Sequence, residues 1–230
     1  MDKKSMARKT AWVRDVIIGM SDGIMVPFAL TAGISGALQN KAIILTAGMA
    51  EICAGSISMA LGGYLSARTE LQHYDAEKAE EHREVKEVGE SEKQEVRDAL
   101  AFYGLSLRAQ DLVAEELTHN EDNWVAFMLR NKLGLEEPDP RRAKKSAFNI
   151  GASYIVGGLI PMTGYLFTPN AREGLFWSSG ITLCCLLLFG YFKARFSGEP
   201  PFEGALKTAG IGVVAAGVAF WIAHWFYQRI

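Results

Sequence analysis

Between Thr46 and Val88 the chain reads TAGMAEICAGSISMALGGYLSARTELQHYDAEKAEEHREVKEV. The first half is small and apolar and carries one carboxylate, Glu51; the second half is dense in charge. From Tyr64 onward the run has no proline, and its next glycine is Gly89. Nothing stops a helix where the apolar part ends. The stretch predicts one long helix that leaves a membrane near Ala67 and continues into water.

The rest of the chain repeats this contrast. Residues 68–146 hold 19 of the 26 acids and 13 of the 24 bases, so the net charge of -2 averages over two different environments. Besides Ala42–Ala67, apolar runs lie at Val16–Leu38, Ala147–Phe167, Leu175–Phe192 and Leu206–Phe226. Each is close to the roughly 17–25 residues that span a bilayer. A chain of 230 residues is too short to wrap five helices, apolar all round, in a soluble core. The expected fold is all-α: an integral membrane protein with five transmembrane helices and a helical cytosolic metal-binding domain inserted between helices two and three. The expected divisions are 1–67 for membrane helices one and two, 68–146 for the inserted domain on an extension of helix two, and 147–230 for membrane helices three to five.

Basic residues give an orientation. Lys3, Lys4, Arg8, Lys9 and Arg14 precede the first apolar run, Arg141, Arg142, Lys144 and Lys145 close the charged segment, and Lys193, Arg195 and Lys207 join the last two runs. The positive-inside bias puts the N-terminus and the insert in the cytosol and the C-terminus outside or in a lumen. Trp221, Trp225 and Tyr227 suit an interfacial belt at that far end, with His224 as an anchor. The first apolar run is too long for the core of a signal peptide. Cys53, Cys184 and Cys185 fall in apolar runs and read as small fillers, not a disulfide framework. The partners expected are a lipid bilayer and a divalent metal ion, with no nucleic acid and no prosthetic group.

Two acids sit in apolar runs: Asp22 in GMSDGIMVPFAL (Gly19–Leu30) and Glu51. An ionised carboxylate in hydrocarbon costs a few kcal/mol, so such a group faces a bundle interior or a water-filled path. Gly55, Ser58 and Met59 fall on or near the helix face of Glu51. Gly55 leaves room there, and carboxylate, hydroxyl and thioether together suit a borderline transition metal better than calcium. Taken singly, Met59 also fits an apolar filler, and Ser58 a hydroxyl bonded to its own helix. Pro27 removes a backbone N–H and clashes with the carbonyl of Gly23, which predicts a kink that exposes backbone oxygen beside Asp22. Metal and protons then compete for the same oxygens, the minimum chemistry of a proton-coupled exchanger.

In the charged segment we expect three further helices: SEKQEVRDALAFYG with Ser91 as cap and Gly104 as stop, SLRAQDLVAEELTHN, and EDNWVAFMLRNKLG ending at Gly134. Glu81 and Glu84 are three apart, as are Glu92 and Glu95, so each pair shares a helix face. Two such pairs on successive antiparallel helices form an oxygen-rich cage for a divalent ion. The same spacing fits a solvated face laced with Glu–Lys and Glu–Arg pairs.

These residues resemble the vacuolar iron transporter family. GMSDGIMVPFALTAGISGA looks like its first helix and AEICAGSISMALGGYLSARTE like its second; WVAFMLRNKLGLEEPDP and SAFNIGASYIVGGLIP look like the segments around its third. The resemblance implies a homodimeric antiporter, five membrane helices per subunit, exporting ferrous iron (Fe2+) from the cytosol in exchange for protons (H+). It implies a transport path lined by Asp22, Glu51 and Met59, and a cytosolic metal site built from Glu81, Glu84, Glu92, Glu95 and Met128. One departure stands out. The family pattern Met-Met-x-x-Glu is met here by Met128, Leu129 and Lys132: one thioether is lost and one carboxylate becomes a cation. Lys132 is placed to pair with a neighbouring glutamate and to stand where a metal would.

Three rival readings remain. Glu70-x-x-His73 and Glu116-x-x-His119 have the spacing of di-iron sites in four-helix bundles, which would make the insert a membrane-anchored ferroxidase. Manganese (Mn2+) and iron share ligand preferences, so a manganese transporter of the same fold fits equally. A non-transporting scaffold is the third. A bacterial inner membrane and a vacuolar membrane both accommodate the chain.

Overall fold

The computed structural model describes residues 3–229, with side chains from Thr10 onward. Its described residues form eight helices: α1 (Lys3–Ala37), α2 (Lys41–Glu87), α3 (Gly89–Phe102), α4 (Leu107–Thr118), α5 (Glu121–Asn131), α6 (Arg142–Leu166), α7 (Ala171–Ser197) and α8 (Pro201–Tyr227). They divide into two units. The first holds the chain up to Tyr64 and from Lys144 on; the second is Leu65–Ala143. The boundary falls inside α2, which is one uninterrupted helix of 47 residues.

Among the described residues four helices are long and apolar enough to cross a membrane: Thr10–Ala37 within α1, then α2, α7 and α8. This corrects the expectation of five transmembrane helices with a domain inserted between the second and third. α6 drops out because Asn149, Ser153, Tyr154, Thr163 and four glycines dilute its apolar residues. Much of its bulk is also turned inward: Ile150, Tyr154, Met162 and Tyr165 are buried. The charged segment begins on α2 itself, whose last turns lie in the second unit. A far-side C-terminus presupposed an odd number of crossings, and that premise goes with the fifth span.

In the first unit α1 packs on α7 and α8. Ile24 meets Leu186 and Ala209, and one turn further Phe28 and Ala32 meet Ala216. Against α6 the contact is backbone to backbone. A side-chain carbon at Gly19 or Gly23 would overlap the backbone of Ile150 or Tyr154, and one at Gly157 would lie 3.0 Å from Ile24 N and Met20 O. Small residues permit this approach where the driving force is packing, not water exclusion. α1 continues through Pro27, and Thr31 Oγ1 donates 2.8 Å to the Pro27 carbonyl. Gly23, whose carbonyl Pro27 leaves without its helical N–H, is buried where α1 meets α6. His224 Nδ1 lies 2.9 Å from the Gly36 carbonyl in the last turn of α1, an anchoring contact.

The second unit is a helical cluster over Val96, Leu100, Ala114, Trp124 and Met128. Ser106 and Asn120 cap α4 and α5 by accepting from Ala109 N and Asn123 N. Gly104 and Gly134 take positive φ (80° and 66°) beyond the ends of α3 and α5, as expected of stops. Ser91 is not a cap: α3 already begins at Gly89, with Val88 before it.

Candidate metal sites

Glu51 lies in the apolar part of α2, half-buried. Tyr154 of α6 donates its hydroxyl proton to Glu51 Oε1 at 2.8 Å. The other oxygen, Oε2, is buried without a partner. A buried carboxylate oxygen left bare is costly and calls for a cation or a proton. Asp22, also half-buried, lies with Glu51 within electrostatic reach of the Tyr154 phenol. Glu51 bonds this tyrosine, and Asp22 acts on it only through space. The room left by Gly55 is taken by that same ring: a side-chain carbon there would overlap Tyr154 Oη, and would lie 2.5 Å from Cζ. Met59 is half-buried on α2, whereas Ser58 is exposed and adds no oxygen to a buried path.

Two neighbours were not singled out from the sequence. Asp15, two turns before Asp22, is buried and faces Asn149 Nδ2 at 3.4 Å. It stands just before the apolar run, where an acid reads as part of the polar flank. Lys193 of α7 acts electrostatically on Asp22; in sequence it reads only as a basic loop residue. Tyr154 itself carried no signal, because a lone tyrosine in an apolar helix is ordinary.

In the second unit the glutamate pairs of α2 and α3 converge. Lys132 Nζ, at the C-terminal cap of α5, lies 3.5 Å from Glu81 Oε1, 3.6 Å from Glu84 Oε2, 3.5 Å from Glu92 Oε2 and 2.8 Å from Glu95 Oε2. Glu81 and Glu92 are buried, with only 3% and 4% exposed. Carboxylate oxygens of Glu81, Glu84 and Glu92 lie within 4.8 Å of one another, as donors to a single ion must. Burial raises Glu81 and Glu92 above the ordinary glutamate value, against the lowering charge of Lys132, and the like charge of Glu84 adds to the rise in both. Burial alone would lower Lys132. The hydrogen bond to Glu95 and the charges of Glu81, Glu92 and Glu95 outweigh it and hold the ammonium above the ordinary lysine value. Its place at the C-terminus of α5 adds a favourable helix dipole. Met128, one turn earlier, is buried in the apolar cluster beside Trp124 and Leu100.

The ferroxidase residues are not brought together among the described residues. Glu70 pairs with Arg142 at 3.7 Å, His73 with Glu77 at 3.6 Å, and His119 faces its own helix at the Glu115 carbonyl.

The sequence model described as VIT family matches residues 13–224. The chain belongs to the VIT family. The match covers Asp22, Glu51 and all of the second unit. Among its relatives, rice Vacuolar iron transporter 1 is 47% identical over 92% of this chain and 84% of its own length. Vacuolar iron transporter 1 of Arabidopsis thaliana is 48% identical over 92% and 84%. Protein CCC1 of Saccharomyces cerevisiae is 35% identical over 95% and 68%. The resemblance drawn from the sequence motifs holds, and so does the reading of a VIT-family transporter over an enzyme.

Proposed function

We propose that this VIT-family chain carries ferrous iron across a membrane, out of the cytosol and into a vacuole or out of the cell, in exchange for protons. The observation that carries this reading is Glu51: held at one oxygen by Tyr154, bare and buried at the other, inside an apolar bundle. Such a group is stable when it is neutralised, by metal from one side and by protons from the other. Asp22 lies within electrostatic reach of the same tyrosine, and Met59 supplies a softer thioether that favours Fe2+ over a hard ion. The relatives' names support iron as cargo; manganese is the second cargo of the same ligand set. The concentration of Lys and Arg before α1 and at the end of the second unit supports a cytosolic N-terminus. The functional form we propose is a homodimer. Glu81, Glu84, Glu92 and Glu95 act as a cation cradle in the second unit.

Purified protein in proteoliposomes, with a trapped metal-sensitive dye, tests this. Uptake of Fe2+ should rise with an opposing proton gradient and fall by about tenfold or more in Asp22→Asn and Glu51→Gln. Uptake indifferent to the gradient would remove the proton coupling, and full uptake by both variants would remove the path.

A further inference from the structure

We propose that Lys132 is a tethered cation that masks a latent divalent-metal site: its ammonium fills the cradle of Glu81, Glu84, Glu92 and Glu95, so that the second unit stays assembled without metal. The inference rests on the cradle reading above and adds what fills it in this chain. One nitrogen meets four carboxylates from two helices at 2.8–3.6 Å. Oxygens bind a divalent ion at roughly 2.0–2.6 Å, so the cradle is sized for an ammonium. That ammonium has three protons to give, and only the 2.8 Å contact to Glu95 has the length of a strong hydrogen bond.

The nitrogen is also held in place. Lys132 caps α5 with its N–H on the Met128 carbonyl, and Met128 and Leu129 fix that turn in the unit's interior. A single positive charge nevertheless leaves the cradle underfilled. Glu81 Oε2, on a side chain nearly fully buried, has no partner. The unpartnered oxygen marks ligand capacity that one ammonium does not use, and oxygen donors in this number suit a hard or borderline divalent ion. Removing the ammonium should free three or four carboxylates at once.

The test is Mn2+ binding to the full-length protein in detergent, by equilibrium dialysis with the free ion read by electron paramagnetic resonance. Asp22→Asn and Glu51→Gln are placed in the background to silence the transport path. With Lys132 present, the second unit should take up no Mn2+. Lys132→Gln and Lys132→Glu should each gain one site, at least about tenfold tighter than any residual binding, and Glu81→Gln should abolish the gain. Lys132→Arg, which keeps the charge, should remain metal-blind. Thermal unfolding supplies a second readout. The parent should be indifferent to chelator, while Lys132→Gln should lose stability in chelator and recover it with Mn2+. If the parent binds Mn2+ through Glu81 as well as Lys132→Gln does, the masking is refuted while the cradle stands as a metal site. If folded variants lacking Lys132 bind none, both the masking and the cradle reading fall. Neither outcome bears on transport through Asp22 and Glu51.

Discussion

Tyr154 and Glu51 form a donor–acceptor pair at 2.8 Å between α6 and α2. The phenol fixes one carboxylate oxygen and leaves its twin open. Tyr154→Phe keeps the ring and deletes the proton donor. A hydrogen bond to a charged group contributes about 1.5–3 kcal/mol, so iron uptake in proteoliposomes should fall by about tenfold or more. Unchanged uptake would mean that the pair is structural only.

Gly55 and Gly62 lie two turns apart on α2 and should respond oppositely to alanine. At Gly55 the added carbon overlaps the Tyr154 phenol; at Gly62 nothing lies within 4 Å. Gly62→Ala should be neutral or stabilising by up to about 1 kcal/mol, the usual helix gain. Gly55→Ala must displace the ring and should lower uptake sharply in a protein that still folds. Equal behaviour of the two variants, in thermal unfolding and in uptake, would contradict the placement of that ring.

The second unit should be more stable in mild acid. Burial holds Glu81 and Glu92 above the ordinary glutamate value, so the folded unit takes up protons at a higher pH than the unfolded chain does. Stability then rises as pH falls through the raised values and declines as they ionise toward neutrality. Denaturant melts in chelator between about pH 7.5 and about pH 5.5 should show this slope, and Glu81→Gln should flatten it. A slope of the opposite sign would mean that the Lys132 charge outweighs burial.

Met128 offers a direct contrast between core and ligand. It packs in the apolar cluster with Trp124 and Leu100. Met128→Leu conserves volume and should cost under about 1.5 kcal/mol; Met128→Ala opens a cavity and should cost about 2–5 kcal/mol. Placed on Lys132→Gln, a Met128→Leu change that removes the gained metal binding without loss of stability would return the thioether to the ligand set.

Much of the architecture can be read without coordinates where one physical signal dominates. The absence of a breaker after Tyr64 predicts the length of α2, and the three-residue spacing of the glutamates predicts which of them share a face. Lys132 stands out because a cation replaces an acid in a recognisable pattern. Legibility fails where packing decides. α6 is counted as a fifth span because its apolar residues were weighed by type, whereas its glycines and tyrosines serve contact with α1 and α2. Asp15 escapes notice because burial of a flanking acid depends on Asn149, which is 134 residues away. Gly55 promises space, but no pattern reveals that a tyrosine from another helix occupies it.

At the crossing of Gly19, Gly23 and Gly157 no side chain cushions one main chain from the other. A layer of leucines can shear by changing rotamers; bare peptide planes in contact cannot. α1 and α6 are therefore dovetailed. Any rearrangement that alternately opens the bundle to its two sides must carry this pair as one strut and find its slippage at seams filled by flexible side chains.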